Sequence, residues 1–153
     1  YRSRTGTRFE RVGQDLYTEG FPNEAALAFR DCGSCLCLLR MDGEGATGKL
    51  GVSEPPYTSW RWSDLGIKIG GPALLRLPDT RYVTCVRLYD ERVRTSLLWL
   101  DPDASTLTEF LELPSGGDTS YAGMVWHEDL LWVAYYSSHE EKTSIYLARA
   151  RLG

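Results

Sequence analysis

Long apolar runs are missing from this chain of 153 residues. None approaches the ~20 residues that a membrane-crossing helix needs, so no membrane partner is expected. Histidine is scarce: there are two, His127 and His139, in polar turns. Neither has a Cys or His at ligand spacing, so no metal site is expected, and no cofactor. A basic surplus is also missing. Lys and Arg number 17 against 21 Asp and Glu, a net charge of −4, which leaves no field for a nucleic-acid backbone. Helix signals are absent, since no stretch keeps apolar residues at i, i+3, i+4 and i+7 between caps. No secretory leader is read at Tyr1. The chain has no initiator Met and starts inside a structural pattern, so it is read as a fragment or processed piece.

Cysteine is sparse but clustered. Cys32, Cys35 and Cys37 lie together and Cys85 lies apart. Cys35 and Cys37 would share one face of a strand, a geometry that disfavours a disulfide between them. They are expected to be small reduced core residues. That usage favours a reducing, cytoplasmic setting slightly over a secreted one.

What is present is aromatic and repetitive. Five Trp and nine Tyr suit a sheet protein or a sugar-binding surface. The seven prolines are spread through candidate loops, as many short strands require. Three hairpins superpose on their turns. They pair 25–30 with 34–40, 73–77 with 81–87, and 122–126 with 130–136. Their second strands are offset by 47 residues and then 49, from Arg40 to Arg87 to Tyr136, near the length of a four-stranded propeller blade. Third strands are expected at 48–53, 95–100 and 143–150, and fourth strands at 63–67 and 108–113. The reading is all-β: about three antiparallel blades in one partial β-propeller domain. Residues 1–20 would end a preceding blade, and the blades would span 21–69, 70–115 and 116–153. Cut strand edges would invite pairing, so the missing N-terminal blades or a second copy of the chain are expected partners.

The stretches from Phe21-Pro22-Asn23-Glu24 to Arg40, from Arg94 to Leu97, and from Asp118-Thr119-Ser120-Tyr121 to Tyr136 carry a family likeness. Over essentially its whole length the chain resembles the C-terminal half of a bacterial sialidase-like six-bladed β-propeller, of the neuraminidase superfamily with BNR (Asp-box) repeats. The boxes survive only as remnants, at 3–9 with Thr5 in place of Asp, and at 53–60 with Pro55 and Tyr57 at the Asp and Gly places. The resemblance implies a glycoside hydrolase for terminal α-linked acidic sugars. In it Tyr121 matches the nucleophile and Glu24 its base, while Arg40 and Arg94 match arginines that clamp the sugar carboxylate. Arg87 rivals Arg94, because it is the repeat equivalent of Arg40. The third arginine and the acid/base aspartate would precede Tyr1, so this chain alone is expected to be inactive or weakly binding.

The chemistry is coherent. An anionic sugar repels a carboxylate nucleophile, whereas a phenol with an adjacent base can attack. Guanidinium binds a carboxylate through two parallel hydrogen bonds. Asp118, next to the Thr-Ser-Tyr stretch, is a candidate acid but also ordinary loop chemistry. Trp60 and Trp62 could stack a sugar or pack a strand. Two rival readings stay open: a non-catalytic propeller that binds glycan or protein, and a propeller glycosidase acting on a neutral sugar through paired carboxylates.

Overall fold

A computed structural model describes residues 1–153, and every regular element in it is a strand. In chain order these are β1 (Pro22–Phe29), β2 (Cys35–Met41), β3 (Lys49–Ser53), β4 (Arg61–Asp64), β5 (Ile69–Arg76), β6 (Tyr82–Leu88), β7 (Arg94–Asp101), β8 (Thr106–Glu112), β9 (Thr119–His127), β10 (Leu130–Ser137) and β11 (Ser144–Ala150). They form three antiparallel sheets, β1-β2-β3-β4, β5-β6-β7-β8 and β9-β10-β11. The first strands lie together, β1 against β5 and β5 against β9. Sheets stacked face to face around adjoining first strands are β-propeller blades.

Burial follows from that stacking. Every residue of β2 and of β6 but one is buried, because each strand is covered on both faces. From β2 and β3, Leu36, Leu38 and Leu50 pack forward onto Val86, Leu88 and Leu98 of the second blade. From that blade Val83, Cys85 and Leu97 pack onto Leu131, Val133 and Tyr135 of the third. Each such side chain stabilises by ~1.5–3 kcal/mol. No other blade of this chain covers the forward face of the third. Its strands β9 and β11 alternate exposed and half-buried positions, leaving Val125, Ile145 and Leu147 55%, 78% and 66% exposed.

Several details depart from the sequence reading. Residues 1–20 hold one isolated bridge, Arg2 to Glu10, and no named strand. The fourth strand of the first blade is Arg61–Asp64, ahead of 63–67. Gly66, at φ 71, ends it, although Leu65 and Ile67 still bond to Gly48. Cys35, Cys37 and Cys85 are buried free thiols, but Cys32 lies exposed in the β1–β2 turn. Trp60 and Trp62 stack on each other with centroids 5.6 Å apart and pack behind β2 on Cys37, Leu39 and Met41.

Candidate functional site at the rim of the blades

Each blade begins with a β-bulge, and the bulges build the site. Counting from matched pairs Ala26–Leu38, Ala73–Cys85 and Gly123–Ala134, the residue two places earlier on the first strand is Glu24, Gly71 and Tyr121. Two places later on the second strand come Arg40, Arg87 and Tyr136. The ladder shifts register close by in every blade, directly after the reference pair in the second and third and one pair later, after Ala25–Leu39, in the first; such shifts re-aim side chains at the strand end. One rim slot is thus filled by a carboxylate, a glycine and a phenol.

The middle slot holds the outer two together. Gly71 has φ 52, and a Cβ built on it would overlap Ser120 Oγ. Its bare backbone leaves a gap, and its N–H donates to Glu24 Oε2 at 2.8 Å. Across the gap the Tyr121 hydroxyl donates to Glu24 Oε1. Arg40 Nη1 donates to Glu24 Oε2 at 3.1 Å, and its Nε to Asp42 Oδ1 at 2.7 Å. Tyr121 itself sits at φ 49, where a residue with a Cβ is strained and glycine is the default. It is also 59% exposed. A bulky side chain kept in a strained backbone and left open to solvent is a mark of functional positions.

The hydrogen bond fixes where the proton and the charge sit in the resting pair. Burial alone raises the Glu24 carboxyl, but hydrogen bonds from Tyr121, Arg40 and Gly71 outweigh it and leave its pKa below the ordinary value. The Tyr121 phenol is raised, first by its hydrogen bond to Glu24 and then by that residue's charge; the Arg40 and Arg87 charges oppose the rise. At neutral pH the pair is therefore a carboxylate accepting from a neutral phenol.

A second cluster adjoins the first. The Tyr121 and Tyr136 rings stack with centroids 5.9 Å apart. Tyr136 donates from its hydroxyl to Asp118 Oδ1 at 2.6 Å. Arg87 Nη2 reaches both Tyr136 Oη, at 2.7 Å, and Asp118 Oδ1, at 2.9 Å. Its Nε is held by the Thr119 carbonyl.

Glu24, Arg40 and Tyr121 thus share one hydrogen-bonded group, with Arg87 and Asp118 beside it. Arg94 does not join them. It opens β7, the third strand of its blade, and turns outward to β8. Its Nε and Nη2 bond Glu109 at 3.0 and 2.7 Å, and Nη1 and Nη2 bond Asp90. With its donors spent on two carboxylates, it has none left for a ligand. Gly71 and Tyr136 escaped the sequence reading. Their signal was the repeat offset, since Gly71 lies 47 residues after Glu24 and Tyr136 49 after Arg87. No group of three or more His, Cys, Asp or Glu side chains is placed to hold a metal ion.

No family model and no curated protein matches the sequence. Solved structures do resemble it. A protein of unknown function from Dyadobacter fermentans superposes with a TM-score of 0.78 at 20% identity, over 90% of this chain and 41% of that one. An endo-1,4-beta-xylanase from Bacteroides thetaiotaomicron gives 0.63 at 10% identity, over 84% of this chain and 49% of that one. GH43B of a Bacteroides ovatus xyloglucan utilisation locus gives 0.60 at 15% identity, over 86% of this chain and 27% of that one. At these identities the likeness speaks for the fold, that of β-propeller blades. The chain spans less than half the length of each.

Proposed function

We propose that these blades form part of a sugar-active propeller, a glycosidase-like module whose rim takes terminal α-linked acidic sugars. The observation that carries this reading is the Tyr121 hydroxyl donating to Glu24 while Arg40 and Gly71 hold the same carboxylate. In the proposed reaction Tyr121 Oη bonds to the anomeric carbon as the bond to the leaving oxygen breaks. The phenol proton passes to Glu24 Oε1. A phenol escapes the repulsion that a carboxylate nucleophile would meet from an anionic sugar. Arg40 and Arg87 supply positive charge for the sugar carboxylate and for developing phenolate. Leaving-group protonation falls to an acid outside this cluster. Water then attacks the anomeric carbon as the bond to Tyr121 Oη breaks, Glu24 returns its proton to the phenolate, and the water proton passes to the group that protonated the leaving oxygen, with net retention.

The test uses a 3-fluorosialosyl fluoride, whose fluoride departs without help from an acid. The expected result is a covalent adduct on Tyr121 by intact and peptide mass spectrometry, and none with Tyr121→Phe. Saturable binding with no adduct would instead favour a glycan-binding module. The pairing of Arg40 and Arg87 with carboxylates, and the likeness in fold to a xylanase and a GH43 protein, favour a neutral-sugar glycosidase as the second reading. In that case sialic acid compounds would neither bind nor label.

A further inference from the structure

The Arg87–Tyr136–Asp118 cluster has an uneven construction. The Arg87 side chain is 15% exposed and anchored through Nε to the Thr119 backbone. Tyr136 is fixed by stacking on Tyr121. Asp118, by contrast, is 66% exposed and sits in the loop before β9. Three hydrogen bonds close a triangle here: Arg87 Nη2 to Tyr136 Oη, Arg87 Nη2 to Asp118 Oδ1, and Tyr136 Oη to Asp118 Oδ1. Two anchored donors therefore converge on one oxygen of a solvent-facing carboxylate.

We infer that Asp118 is a tethered stand-in for a ligand carboxylate, occupying the donors of Arg87 and Tyr136 until an acidic sugar displaces it. This rests on the acidic-sugar reading above and deepens it by assigning the residue that sets the strength of carboxylate capture. Asp118 is the exposed member of the pair, and on that side solvent screening weakens its hold, so a ligand carboxylate can compete for the same donors. The neighbouring acceptor is already engaged: Glu24 is held by Arg40, Gly71 and Tyr121. Asp118 therefore has no competitor on the rim for this donor pair. Displacement forms no covalent bond. The incoming carboxylate accepts from Arg87 and Tyr136, and Asp118 turns to water.

Isothermal titration of the chain with N-acetylneuraminic acid and with its neutral methyl ester tests this. Asp118→Asn keeps the side-chain shape and removes the charge. It is expected to bind the acid roughly two- to fivefold more tightly than the unmodified chain, with ester binding unchanged. Adding Arg87→Ala should abolish the gain. A thermal melt of each variant shows that the fold is retained. An unchanged or weaker acid affinity in Asp118→Asn overturns the stand-in role. So does an equal gain for acid and ester, which would mean that charge is not what was relieved. If the chain prefers acid to ester but Asp118→Asn brings no gain, only the stand-in fails. If no variant distinguishes acid from ester, the acidic-sugar reading fails and the stand-in with it.

Discussion

Gly71 does as much for the rim as the residues flanking it. Its φ of 52 and the overlap a Cβ would make with Ser120 are separate penalties. Gly71→Ala is expected to lower stability by about 2–4 kcal/mol, read from denaturant unfolding. Ser120→Gly in the same chain should recover the overlap part but not the backbone part. Glu24 gives a pH signature. Its carboxyl is lowered from 4.5 by hydrogen bonds that outweigh burial. Stability from those bonds is present above 4.5 and lost as pH falls through the lower folded value. Acid unfolding followed by fluorescence should be steeper for the unmodified chain than for Glu24→Gln in that window. Tyr136 responds at the other end of the scale, pushed up to about 12 by burial and then by Asp118. Asp118→Asn should lower its alkaline titration, read by ultraviolet absorbance. Of the site, Glu24 and Tyr121 were named from the family likeness, and the repeat adds only that each stands near the start of a blade. Arg94 was read at the start of the third strand of its blade, where it lies, but a strand position does not tell which neighbours a long side chain meets, here Glu109 and Asp90 in place of Glu24.

At the scale of elements, second strands were the most legible part of the sequence. Runs such as Cys35–Leu39, apolar throughout, and Tyr82–Val86, apolar but for Thr84, are what a strand covered on both faces requires. Turns were less so. The third hairpin was read with a turn of three residues, His127 to Asp129, yet its ladder closes His127 against Leu130. Glu128 and Asp129 both take positive φ, 50 and 58, a type I′ pattern for which Asn-Gly is preferred. Nothing in the letters Glu-Asp announces it. Replacing the pair by Asn-Gly is expected to stabilise the chain by ~0.5–2 kcal/mol, seen as a higher melting temperature. Turns also carry the cross-blade pairs Arg30–Asp103 and Arg76–Asp31, at 2.9 and 2.5 Å. Those aspartates are largely exposed, so each pair contributes about 0–1 kcal/mol.

Over the whole molecule, stability comes from one blade covering the next. The forward faces of the first two blades are buried, while that of the third shows Val125, Ile145 and Leu147 to solvent. Apolar faces of this kind promote association. Ile145→Lys with Leu147→Lys should leave the melting temperature nearly unchanged and reduce concentration-dependent light scattering. An unaltered scattering profile would show that this face is not what associates. The period of the repeat made the stacking legible, but periodicity is silent on what lies against a terminal face. The shared bulge has a consequence of another kind. Glu24, Gly71 and Tyr121 are one position of one module, occurring three times with different occupants. A bulge lies near each of them in all three blades, but only Gly71 and Tyr121 take positive φ, 52 and 49, and Glu24 does not, so similar strand ends present different groups through side chain and local backbone together. No blade taken singly holds the site; it exists only in the comparison of neighbours, and its parts can be exchanged between slots to ask which order of occupants works.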